Sequence, residues 1–178
     1  MGTFMRTLDR VLNRAYTVCG AIGAGFLVVI AICVGLSIVT RLLGIYVAGL
    51  TAYSGYAMAA SSFFALAYTF RAGGHIRVAL VRNRLGPRGQ LVLELWCLAL
   101  ASLFTSFLAY YLVRMTWVSW TFGERSEGGA ATPLWIPQSA VAAGATVMAI
   151  ATVHALVLTV VRREPDAALS TRAETQIE

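Results

Sequence analysis

Lysine is missing from this sequence, and carboxylates are scarce: all 14 basic residues are arginine, against eight acids in 178 residues. Charged residues amount to 12% of the chain, about half of what a soluble domain uses to cover its surface. A soluble globular fold is therefore excluded on composition. Histidine occurs twice and cysteine three times. Cys19, Cys33 and Cys97 all fall inside apolar blocks with no C-x-x-C spacing, which argues against a disulfide framework or a metal cluster. They read as small packing residues. The net charge of +6 does not indicate nucleic acid, because the arginines sit in short segments between apolar blocks and form no folded basic surface with stacking aromatics.

Hydrophobic residues make up 58% of the sequence and come in four long blocks. Spanning a bilayer core takes roughly 20 apolar residues in a helix. The pattern predicts an all-α integral membrane protein with four transmembrane helices, over approximately residues 16–40, 52–70, 90–113 and 137–161. Residues 1–165 form a single membrane domain, and 166–178 a flexible polar tail. The apolar run after Arg14 is far longer than the roughly 7–15 residues of a signal-peptide core, so it is expected to stay in the membrane. Before it, Phe4, Leu8, Val11, Leu12 and Ala15 recur at spacings of three and four, with Arg6, Arg10 and Arg14 on the other side. That spacing predicts a short amphipathic N-terminal helix on the membrane surface.

Arginine distribution gives the orientation. The N-terminus, the loop holding Arg71, Arg77, Arg82, Arg84 and Arg88, and the tail carry eleven; the other two connections carry Arg41, Arg114 and Arg125. The positive-inside rule then puts both termini in the cytoplasm, in keeping with an even number of spans. Tyr110, Tyr111, Trp117, Trp120 and Trp135 at one outer connection, and Tyr46, Tyr53 and Tyr56 at the other, suit the headgroup region, where an apolar ring with a polar edge is favoured.

Groups that could do chemistry are few. Glu94 lies about 6 Å into the third span at 1.5 Å per residue, near enough for a structural ion pair with Arg88 or another loop arginine. His154 falls mid-span in the fourth helix, and a lone histidine there reads as a hydrogen-bonded packing residue. Ser54 in Tyr53-Ser54-Gly55-Tyr56 and His154 make a weak case for an intramembrane serine dyad. No H-E-x-x-H, P-loop or paired carboxylates are present. No catalytic, cofactor or metal residue is assigned. Gly20/Ala24, Ala21/Gly25, Gly55/Ala59 and Ala140/Gly144 are small pairs four apart, the spacing that lets helices approach closely in lipid.

The run Tyr68-Thr69-Phe70-Arg71-Ala72-Gly73-Gly74-His75-Ile76-Arg77-Val78 resembles the signature of the small permease subunit of tripartite ATP-independent periplasmic (TRAP) transporters. Arg41 closing the first span, Arg84-Leu85-Gly86-Pro87-Arg88 before the third, and Gly123, Ser126 and Pro133-Leu134-Trp135-Ile136-Pro137 before the fourth fit the same family, over approximately residues 10–162. The resemblance implies a non-catalytic subunit in the bacterial inner membrane. It would brace a large transmembrane subunit that takes up an organic anion with sodium, and help dock a periplasmic solute receptor. Arg41, Arg71, His75, Arg77, Arg84, Arg88 and Trp135 are the expected contacts with that partner or with phospholipids. One departure is notable: many members carry a carboxylate at the start of the second span, where this chain reads Leu50-Thr51-Ala52-Tyr53-Ser54. The partner of Arg41 is thereby left open between Glu124, Glu127, a lipid phosphate and another subunit. A second reading is a stand-alone four-helix transporter acting as a homodimer, with Glu94 as its coupling carboxylate.

Overall fold

The computed structural model describes residues 2–45, 47–71, 86–127 and 131–162. They form four helices: α1 over Gly2–Leu42, α2 over Leu50–Arg71, α3 over Pro87–Phe122 and α4 over Trp135–Arg162. α1 differs from expectation, because the short N-terminal helix and the first span are one continuous element of 41 residues. Neither glycine nor proline occurs between Thr3 and Cys19, so nothing there interrupts the hydrogen-bond ladder. The two faces assigned to residues 3–11 lie outside the described side chains.

Glycine ends the helices where it can take a left-handed backbone. Gly44 has φ 70°; its N–H bonds the Arg41 carbonyl at 3.2 Å, and the Ile45 N–H bonds Thr40 O at 2.9 Å. Gly123 has φ 63°, and the same pair of bonds runs from Gly123 to Trp120 and from Glu124 to Ser119. Both are Schellman ends, which satisfy carbonyls that a helix terminus would otherwise leave unpaired. Pro87 opens α3 behind an extended Gly86, the position at which proline's missing N–H costs nothing.

α3 is where the expected borders fail most. The helix that holds the span expected over about 90–113 continues to Phe122. Arg114 is therefore an exposed residue on the helix and not part of a loop. An arginine on a lipid-facing helix can lay its stem along the apolar surface and lift its charge toward the headgroups, so it does not end the helix. Glycine does, nine residues later at Gly123.

The helices stand in a row, α1–α2–α4–α3, with substantial packing only between neighbours in that order. α1 runs antiparallel to α2, α2 parallel to α4, and α4 antiparallel to α3. Tyr16, Ala67, Met148 and Ala151 form a buried cluster from the first three of these elements; Ala109, Ala145 and Ala149 form another between α3 and α4. The contacts are close because the residues are small. A Cβ on Gly144 would lie 2.8 Å from Phe63 Cβ and 3.0–3.1 Å from the backbone of α2; a Cβ on Gly20 would lie 2.9 Å from the Tyr68 ring. The expected pairs are thus half right: Gly20 and Gly144 do face a partner helix, whereas Gly25 and Gly55 face open space. Gly23, which the spacing rule passed over, also faces α2: a Cβ there would lie 3.2 and 3.3 Å from Ala65 N and Ser61 O.

Hydroxyls join the helices at intervals. Ser61 Oγ donates to Gly23 O at 2.9 Å, and the Thr105 and Thr152 hydroxyls meet at 2.8 Å between α3 and α4. Phe26 stacks on Phe64 at 6.2 Å between centroids.

Among the described residues, three helical stretches are long and apolar enough to cross a membrane: Arg14–Leu42, Arg88–Phe122 and Trp135–Val161. α2 is not among them. It carries Tyr53, Ser54, Tyr56, Ser61, Ser62 and Tyr68, residues that a helix flanked by two others can hold at lower hydropathy than one facing lipid.

Candidate functional site

Because α1 and α3 each begin where α2 and α4 end, the molecule has two distinct ends. At one of them stand Arg14, Arg71 (the last residue of α2) and Arg88 (the second residue of α3), with Glu94 half-buried further along α3. His75, Arg77, Arg82 and Arg84, which connect α2 to α3 in the sequence, lie outside the described residues. At the opposite end stand Arg41, Arg125, Glu124 and Glu127. Arg14 and Arg41 are about 40 Å apart along α1, and Arg88 and Arg114 about 39 Å along α3, at 1.5 Å per residue. Both separations approach the roughly 40–45 Å of a bilayer with its headgroups. The last two turns of α3, past Arg114, extend beyond that interval.

The second end is tied together by side chains. Tyr56 donates to Ser126 Oγ at 3.0 Å, and the Tyr53 and Thr132 hydroxyls meet at 2.9 Å, so α2 is pinned to the connection between α3 and α4. That connection closes on itself as a narrow loop: Ser126 N–H bonds Thr132 O, and Leu134 N–H bonds Glu124 O, across an Arg125–Pro133 bridge. Ser119 Oγ donates to Glu124 Oε2 at 2.6 Å. Trp135 meets Trp120 edge-on with centroids 4.6 Å apart. Sequence reasoning had the aromatics here but missed Ser126–Tyr56 and Thr132–Tyr53; a tyrosine pair at one helix start opposite a Ser/Thr-bearing loop is the only signal available.

Two cavities open at this end. One, of about 330 Å³, lies between α1 and α2 and is lined by Arg41, Ser37, Thr51 and Ser54 with Val34, Ile38 and other apolar residues. The second, of about 630 Å³, lies between α3 and α4 beside Trp117, Trp120 and Trp135. Arg41 forms no ion pair among the described residues, with Glu124 and Glu127 included.

The serine dyad does not assemble. Ser54 is one turn into α2 and donates to the Thr51 carbonyl of its own helix at 2.8 Å. His154 is buried on α4, and the register that sets Gly144 against Phe63 and Met148 beside Ala67 puts it level with the far end of α2. The two residues are separated by roughly 28 Å along the helix axes at 1.5 Å per residue. Among the described residues no group of three or more His, Cys, Asp or Glu side chains could hold a metal ion.

A row of helices, most of them long and apolar enough to cross a membrane, with an arginine-bearing end and a second end closed by tyrosines and a narrow loop, defines an all-helical membrane-protein class. The family comparison gives the particular case. Residues 30–162 match the model for the DctQ component of tripartite ATP-independent periplasmic transporters, and the chain belongs to that family. No curated protein and no solved structure matches it. The resemblance drawn from the His75–Val78 signature is thereby upheld.

Proposed function

We propose that this chain is the small, non-catalytic membrane subunit of a TRAP transporter in a bacterial inner membrane. All four helices cross the bilayer, and both termini lie in the cytoplasm. The subunit braces the large transmembrane subunit and helps dock the periplasmic solute receptor, in a system that takes up an organic anion with sodium. The observation that carries this reading is the row itself. α1 and α3 stand at its edges with large apolar side chains outward, among them Leu27, Ile32, Phe104 and Phe107, so the chain presents broad apolar flanks on which a larger membrane protein can rest. α2, about 33 Å long at 1.5 Å per residue, lies beside α4 and α1 along its length and so crosses with them. Arg71, His75, Arg77, Arg84 and Arg88 form the basic cytoplasmic end that contacts the large subunit or inner-leaflet phosphates. Trp135 belongs to the outer aromatic belt, and Glu94 pairs with a cytoplasmic arginine.

The test is affinity purification of a C-terminally tagged full chain from its native membrane in mild detergent, with mass spectrometry of what accompanies it. The expected result is a stoichiometric large multi-span protein. Recovery only as a self-dimer would overturn the reading and favour the homodimeric transporter with Glu94 at its centre. Alanine at Arg71, His75 and Arg77 together should lower recovery of the large partner while leaving this chain folded.

A further inference from the structure

The cavity between α1 and α2 has a feature that a subunit contact alone does not explain: a cation stands near one end of a mostly apolar lining. Arg41 shares that end with Leu42 and Leu50, and Ser37, Thr51 and Ser54 contribute hydroxyls to the lining. No carboxylate stands in the first turn of α2 to neutralise the guanidinium, and Arg41 forms no ion pair among the described residues. From there the lining passes to Ile38, Val34 and Cys33, reaching about 12 Å along α1 from Arg41 at 1.5 Å per residue. The long axis of the cavity therefore follows the helix, from the headgroup level inward.

We propose that this cavity is a phospholipid site, in which Arg41 binds the phosphate and the groove beneath it takes the first part of an acyl chain. The inference rests on the membrane placement of α1 given under the proposed function, and on nothing further in that reading. Three observations support it together. The spacing of Arg14 and Arg41 matches a bilayer with its headgroups, which sets the guanidinium at phosphate depth. A guanidinium binds phosphate through two parallel charge-assisted hydrogen bonds. The cavity of about 330 Å³ is also deeper than a single carboxylate side chain of a neighbouring subunit would fill, whereas a lipid supplies both the anion and the apolar tail. Leu27, Val28 and Ile32, further along α1, are exposed, so the groove is continuous with the apolar flank of α1.

The experiment is native mass spectrometry of the full chain, purified with whatever partner accompanies it, stripped of endogenous lipid and titrated with dioleoyl phosphatidylglycerol. Wild type should retain one tightly held lipid. Arg41→Gln should weaken that retention about tenfold or more, as expected for losing a charge-assisted pair, with Arg41→Lys intermediate. Val34→Trp, which leaves the cation in place and fills the groove, should weaken it similarly. Uncharged dioleoylglycerol should bind poorly, and inorganic phosphate in millimolar excess should not displace the lipid. Displacement by inorganic phosphate would make this a free-anion site and overturn the proposal. So would equal retention by Arg41→Gln, including the case in which that variant loses the large partner instead, which would make Arg41 a subunit contact. Failure of the subunit reading is separately visible, since it removes the large partner from wild type while leaving lipid retention intact.

Discussion

The two inner helices and the two outer ones solve opposite problems with the same apolar alphabet. α2 and α4 meet through Gly144, Phe63, Phe64, Ala67, Met148 and Ala151, so that backbone nearly touches backbone. α1 and α3 present Leu27, Ile32, Leu103, Phe104 and Phe107 outward. In water this would be inside out, with the largest apolar groups on the surface. In a bilayer there is no penalty for an exposed leucine, since lipid tails are as apolar as the side chain, and association is driven by close fit and interhelical hydrogen bonds instead. Size, more than hydrophobicity, separates interior from exterior here.

That contrast can be broken residue by residue, with unfolding followed by circular dichroism during titration from mild detergent into dodecyl sulfate. The largest effect should come from Gly144→Ala, because the added Cβ meets atoms of α2 that cannot move without the helix. The expected loss is about 1–3 kcal/mol. Gly20→Ala should cost less, about 1 kcal/mol or below, since the atoms it meets belong to the exposed Tyr68 side chain and not to the backbone of α2. Ser61→Ala removes the bond to the Gly23 carbonyl and should cost about 0.6 kcal/mol, typical of interhelical side-chain bonds in membranes. On the outer side, Leu27→Ala should stay within about 0.5 kcal/mol. Gly25→Ala, with nothing within 4 Å of its Cβ, should be neutral or slightly stabilising through helix propensity. A loss at Leu27 as large as at Gly144 would mean that α1 is covered by a part of this chain outside the described residues, and that the contrast between edge and interior is false.

Much of this architecture was legible in the sequence, for identifiable reasons. Glycines at 44, 86 and 123 and the proline at 87 punctuate the helices, and α1, α2 and α4 end within about two residues of the borders that composition predicts, ordinary scatter for helix ends. The helix that holds the third span runs on past Arg114 to Phe122, because a charge marks depth and only a breaker marks a terminus. Helix packing was half legible for a related reason. A spacing of four finds small residues on one face but does not say whether that face meets a helix or lipid, so Gly25 and Gly55 looked like Gly20 and Gly144. Gly23, with Cys19 and Leu27 at four residues on either side, gave no such signal. At the candidate site, the missing carboxylate near Arg41 could be read directly. The cavity could not, because it depends on how far the Gly44–Gly49 turn sets α2 from α1.

A closed bundle has an inside, and a row does not. Among the described residues, each face of α2 and α4 left uncovered by a neighbour is an outer face of the row, and α1 and α3, at its two edges, share no substantial packing that would wall off an axis between them. Among the described residues, the helices of a single copy thus wall off no channel of their own. A path running beside such a row is bounded, on at least one side, by another molecule or by lipid.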